Sequence, residues 1–194
     1  AKARGILVAD GGNNRLQYID IVVHQNGKVD FPENVFFKRK ARVFGHLNID
    51  NKPDKGSRPG EFSSPHDLQL ISDQSGEVKG VLVTETGSNH RLQYIPASMD
   101  KNGKLTLRAD LAVFLGAVDQ NDRPVKGKGK GEFFAPEAAR VITDRSGVIK
   151  GILVAEGQNH RLQYIPASLG AVDGMLSFMK DEAIFLGGVD ANGL

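Results

Sequence analysis

The stretch Asn89–Ser98 reads NHRLQYIPAS, Asn159–Ser168 reads the same ten residues, and Asn13–Ile19 reads NNRLQYI. A ten-residue identity within one chain is an internal repeat, so the fold must be an array of one structural unit. Other landmarks hold the same phase. Gly45, Gly116 and Gly187 each close an apolar run (RVFG, VFLG, IFLG) and follow one another at intervals of 71 residues.

Within a unit the hydrophobic pattern is that of short strands. A Gly-x-Phe-x-x-Pro segment (Gly60–Pro65, Gly131–Pro136) precedes strand A, Asp67–Ile71 or Ala138–Ile142, which ends in a polar Asp/Ser/Gly turn. Strand B, Gly80–Val83 or Gly151–Val154, is continuously apolar and β-branched, the pattern of a strand buried on both faces. Strand C, Arg91–Ile95 or Arg161–Ile165, alternates polar and apolar residues and reads as half-exposed, with Pro96 and Pro166 ending its regular pairing. Strand D is the run closing on Gly116 or Gly187. Four short antiparallel strands, repeated, describe an all-β chain built of β-propeller blades. Residues 1–47 read as a partial blade lacking its inner strand, 48–116 and 117–187 as full blades, and 188–194 as the start of a link to a further blade. About two and three-quarter blades do not close a ring, so the sequence implies further blades from the same polypeptide or from an oligomer.

The succession of Gly-x-Phe-x-x-Pro, Gly-hydrophobic-Leu-Val-Ala/Thr-acid and Asn-His-Arg-Leu-Gln-Tyr resembles the NHL-repeat family, whose members build propellers. The resemblance covers the whole chain in three in-phase copies. It departs from the family pattern in its long unit, which requires enlarged C–D loops and links, and at Asn14, which stands where the other copies have His90 and His160. The resemblance implies a binding or scaffold module, with protein or anionic partners and no obligatory cofactor. It also leaves two other functions open: a metal-dependent hydrolase or lyase working in a central channel, and an RNA-binding propeller.

Composition narrows this only loosely. With 40% hydrophobic and 25% charged residues and a net charge of +2, the chain has the make-up of a globular domain rather than a disordered tail. No apolar run approaches a transmembrane span, and no membrane partner is implied; the compartment stays open. The absence of cysteine excludes disulfides, thiolate metal sites and thiol catalysis.

Three sets of residues carry candidate chemistry. Up-and-down topology places the B–C turns and the D-to-A links on one face. The links are basic: Lys52, Lys55 and Arg58 in one; Arg123, Lys126, Lys128 and Lys130, in a Lys-Gly repeat, in the other. Glycine there would free backbone amides to meet an anion while lysine supplies charge. The second set brackets each B–C turn: Asp10 with Arg15, Glu85 with Arg91, and Glu156 with Arg161, read as bidentate structural pairs. Between them Asn13, Asn89 and Asn159 are expected at turn positions with strained or left-handed backbone, and His90 and His160 are expected to contact neighbouring loops, with metal ligation as the alternative. The third set, His66, Asp67 and Glu137, begins the innermost strands and would look into a channel, where calcium or zinc could be held.

Overall fold

The computed structural model describes residues 5–31 and 41–187. The sequence 188–194, expected to begin a further link, lies outside the described residues, as do 1–4 and 32–40.

Each repeat forms one antiparallel sheet. In the first, β1 (Gly5–Asp10) and β2 (Arg15–Asp20) are followed by a small hairpin, β3 (Val22–Val23) and β4 (Val29–Asp30). The chain then adds β5 (Arg42–Leu47) and a short β6 (Pro53–Asp54), in the order β1-β2-β5-β6. The second sheet runs outward through β7 (Pro65–Ser72), β8 (Val78–Glu85) and β9 (Arg91–Met99) to an outer position shared by β10 (Leu105–Leu107) and β11 (Val113–Leu115). A hairpin of β12 (Ala117–Val118) and β13 (Pro124–Val125) leads to the third sheet. That sheet repeats the second with β14 (Pro136–Thr143), β15 (Ile149–Glu156), β16 (Arg161–Leu169), β17 (Leu176–Phe178) and β18 (Ile184–Gly187). The fold is all-β with propeller-like blades; its described helix is confined to single 3-10 turns at Gly11–Asn13, Ala109–Leu111 and Lys180–Glu182. Among the described residues no helix is long and apolar enough to cross a membrane.

Two apolar cores lie between neighbouring sheets. Leu16 and Tyr18 of the first blade pack with Phe62, Val81, Val83, Ile95 and Leu105 of the second. Leu82, Leu92 and Tyr94 of the second pack with Phe133, Ile152, Val154, Ile165 and Leu176 of the third. The phenylalanine of each Gly-x-Phe-x-x-Pro segment is thus a plug with no exposed surface between two blades. Its opening glycine, Gly60 or Gly131, has left-handed backbone at φ +77° or +70°. The glycine near the start of each B strand is needed for a different reason. The ring of Tyr94 crosses directly over Gly80 and occupies the space that a Cβ there would fill. Burial pushes that phenol up to about 12.

Two expectations about single strands fail. Strand C is not half-exposed in the second blade: Arg91, Leu92, Gln93, Tyr94 and Ile95 are all buried. A blade sandwiched between blades has no solvent face, so the alternation separates a polar interior from an apolar one. Nor does proline end pairing. β9 continues through Pro96 to Met99, with Pro96 opposite Gly80, and the D strand is split into β10 and β11. The split makes the proline harmless, because at the junction only its carbonyl is needed, accepting the Arg108 amide at 2.8 Å.

Candidate functional site

A carboxylate sits at the centre of each B–C turn. Glu85 is fully buried at the end of β8 and accepts from the Arg91 Nε (2.6 Å), the Asn89 Nδ2 (2.6 Å), the Gln93 Nε2 (3.1 Å) and the Ser63 amide (2.8 Å). Glu156 repeats the set with Arg161 (2.7 Å), Asn159 (2.6 Å), Gln163 (3.1 Å) and the Phe134 amide (3.2 Å). In the first blade Asp10 takes this place with Asn13, Arg15 and Gln17. Burial pushes its carboxyl up, but the three donors together outweigh burial and hold it below the ordinary range. Four donors on one buried carboxylate satisfy its lone pairs, the condition under which a buried charge is tolerated.

The arginines are not bidentate to the acids. Arg91 gives only Nε to Glu85; its Nη1 donates to the Ser57 carbonyl (2.7 Å) and its Nη2 to that of Glu61 (3.3 Å). Its plane lies 3.9 Å over the Phe114 ring, as that of Arg161 does over Phe185. Asn89 likewise donates to the Gly56 carbonyl, and in the third blade Asn159 reaches Gly127 and Arg161 reaches Lys128. The motif therefore ties the D-to-A link to the blade, and the shared face of turns and links follows from these bonds. The glutamine of Arg-Leu-Gln-Tyr is visible three times in the sequence, but its place on an alternating strand reads as solvent-facing and hides its role.

The left-handed residue is not the first asparagine of the motif but the next residue: Asn14 (φ 51°), His90 (φ 43°) and His160 (φ 51°). The first asparagine must instead aim its amide at the carboxylate. The left-handed residue reaches forward to the following blade, where Asn14 Oδ1 accepts the Ser64 amide at 2.9 Å and His90 Nδ1 accepts that of Ala135 at 3.4 Å. Burial first, and the nearby Lys126 charge second, lower the His90 pKa.

The basic links are pinned rather than loose. β12 and β13 form the start of the second link, closed by Asp119, which accepts the Asn121 and Arg123 amides. The glycine amides are not free for an anion. Gly127 donates to the Phe133 carbonyl (2.8 Å), Gly129 to Glu132 Oε2 (2.9 Å), and Gly131 to Gln163 Oε1. The side chains are available: Lys52, Lys55, Arg58, Arg123, Lys126, Lys128 and Lys130 are all exposed. Among the described residues none of the seven is in an ion pair; the paired cations lie elsewhere. Lys126 rests 4.8 Å over the Phe134 ring and Lys130 donates to the Asp181 carbonyl at 3.0 Å, both arrangements that leave the charge uncompensated.

The inner-strand candidates join blades to one another. His66 Nδ1 contacts the Glu137 carbonyl at 2.8 Å, and Asp67 accepts the Ala139 amide (3.1 Å) and pairs with Arg140. Gln69 extends the series to the Val141 amide. Glu137 is exposed, and among the described residues no three His, Cys, Asp or Glu side chains are grouped as a metal site would require. No protein-family model matches the chain, and no match to it is found among curated proteins.

Proposed function

We propose that this chain is part of an NHL-type propeller that binds an anionic partner on the face of its B–C turns and basic links, acting as a recognition or scaffold module. The observation that carries the reading is the row of seven exposed Lys and Arg side chains without acidic partners on two successive links. Cations in ion pairs must lose a partner before they can take another, whereas these seven need only release counterions. The backbone that bears them is held by the Arg and Asn side chains of the B–C turns, so their spacing is set before any partner arrives. The chemistry recognised is therefore distributed negative charge, through side chains and not through a cradle of glycine amides.

The test replaces Lys126, Lys128 and Lys130 together by Gln and measures binding to heparin and to a single-stranded RNA as a function of salt. Loss of three contacts should flatten the slope of log affinity against log salt by about two. The urea midpoint should stay where it was, because the three side chains are exposed. An unchanged slope refutes the basic face. Tighter binding of the RNA than of heparin at equal salt would favour the RNA-binding form of the reading.

A further inference from the structure

The face of the third sheet that carries Leu162 and Tyr164 matches, position for position, a face that is covered elsewhere in the same molecule. Leu92 is 0% exposed where Leu162 is 39%, Ile71 is 2% where Ile142 is 38%, and Leu115 is 5% where Leu186 is 47%. The side-chain types are identical at all three places, so the difference lies in what covers them. The polar anchors repeat as well. The Tyr18 hydroxyl donates to the Gly103 carbonyl of the next blade at 2.8 Å, and that of Tyr94 lies 2.6 Å from the Gly174 carbonyl. Among the described residues Tyr164 reaches only Lys150 of its own sheet. Asn14 and His90 each hold the amide before the proline of the following Gly-x-Phe-x-x-Pro, while among the described residues the His160 imidazole holds none.

We propose that this face is the seat of a further blade that opens with Gly-x-Phe-x-x-Pro. Its phenylalanine would lie among Leu153, Leu162 and Leu186, its pre-proline amide would bond to His160 Nδ1, and a C–D hairpin carbonyl would accept from Tyr164. A second copy of these 194 residues does not supply that blade. Both Gly-x-Phe-x-x-Pro segments of the chain are already seated, with Phe62 and Phe133 wholly buried, and no other Phe-x-x-Pro occurs in the sequence beyond the link pair. The occupant is thus identified by its own chemistry: a buried aromatic plug, a left-handed residue before proline, as Ser64 (φ 48°) and Ala135 (φ 53°) are in the two seated segments, and a strand.

The probe is a fluorescein-labelled peptide with the sequence of residues 56–72, GSRPGEFSSPHDLQLIS, titrated into the full chain and followed by anisotropy. Saturable binding is expected, weakened on the order of tenfold or more by His160→Ala, by Leu162→Asp, and by alanine at the peptide's phenylalanine. His160→Asn should retain it, since Asn14 makes the same bond. Circular dichroism of each variant establishes that the fold is intact. No saturable binding, or binding indifferent to these changes, overturns the proposal. Reversible self-association of the chain that Leu162→Asp abolishes and the peptide cannot compete away would overturn it in favour of a second copy.

Discussion

Glu85 is accommodated without solvent because its four donors come from three side chains of one turn and strand and from the amide of a preceding loop. Each of the three side chains also bonds to the link, so one residue's loss is felt in two places. Arg161→Lys should lower stability by about 1–3 kcal/mol, read from urea unfolding. Lysine has a single head for a carboxylate and the three link carbonyls of Lys128, Gly129 and Glu132 at once. Anion binding should weaken only in proportion to unfolding, and normal stability with abolished binding would place Arg161 among the contacts of the partner. His90 allows a test by pH. Its pKa in the fold lies below the ordinary value of 6.5, so the unfolded chain takes up the proton first and stability declines as pH falls from about 7 through 6.5. His90→Asn should remove this part of the pH dependence while preserving the Ala135 contact, as Asn14 does for Ser64; the comparison is of midpoints for the two proteins at pH 7.5 and 5.5, about one unit on either side of the ordinary histidine value.

At the scale of the strand, Gly80 shows how little room the repeat leaves. A methyl group there meets the ring of Tyr94, so Gly80→Ala should destabilise by about 1–3 kcal/mol, measured by thermal unfolding against wild type. The strands themselves were legible, since their apolar runs recur in phase and end at an acid or a turn, although β8 and β15 begin two residues before the glycine that the sequence offers as their start. Their environments were less so. Arg91 and Gln93 alternate with Leu92 and Tyr94 as they would on a half-exposed strand, and only the neighbouring link turns the polar positions into an interior. The passage of β9 through Pro96 was hidden for a similar reason: whether a proline interrupts a ladder depends on which edge needs its missing N–H, and that depends on strands found elsewhere in the chain. Among the candidate contacts, the exposure of the lysines followed from composition, but the closure of the glycine amides on Phe133, Glu132 and Gln163 depended on tertiary geometry.

The whole molecule is held by contacts that recur from blade to blade, which makes equivalent substitutions unequal. Tyr94→Phe removes a hydroxyl from a buried inter-blade contact and should cost about 1–2 kcal/mol, while Tyr164→Phe should cost less than about 0.5, both read from urea midpoints. Equal costs would show that the hydroxyl acts within its sheet rather than between sheets. The pinning of the second link has a consequence on another timescale. A run of alternating lysine and glycine would ordinarily exchange its amide hydrogens with water almost at once. Here the Gly127 and Gly131 amides are each engaged, the latter by a glutamine whose other end is fixed to the buried Glu156. Their hydrogens can leave only when that cluster opens, so in deuterated water they should persist with the strand amides of β15 and β16, marking the link as part of the same opening unit as the blade beneath it.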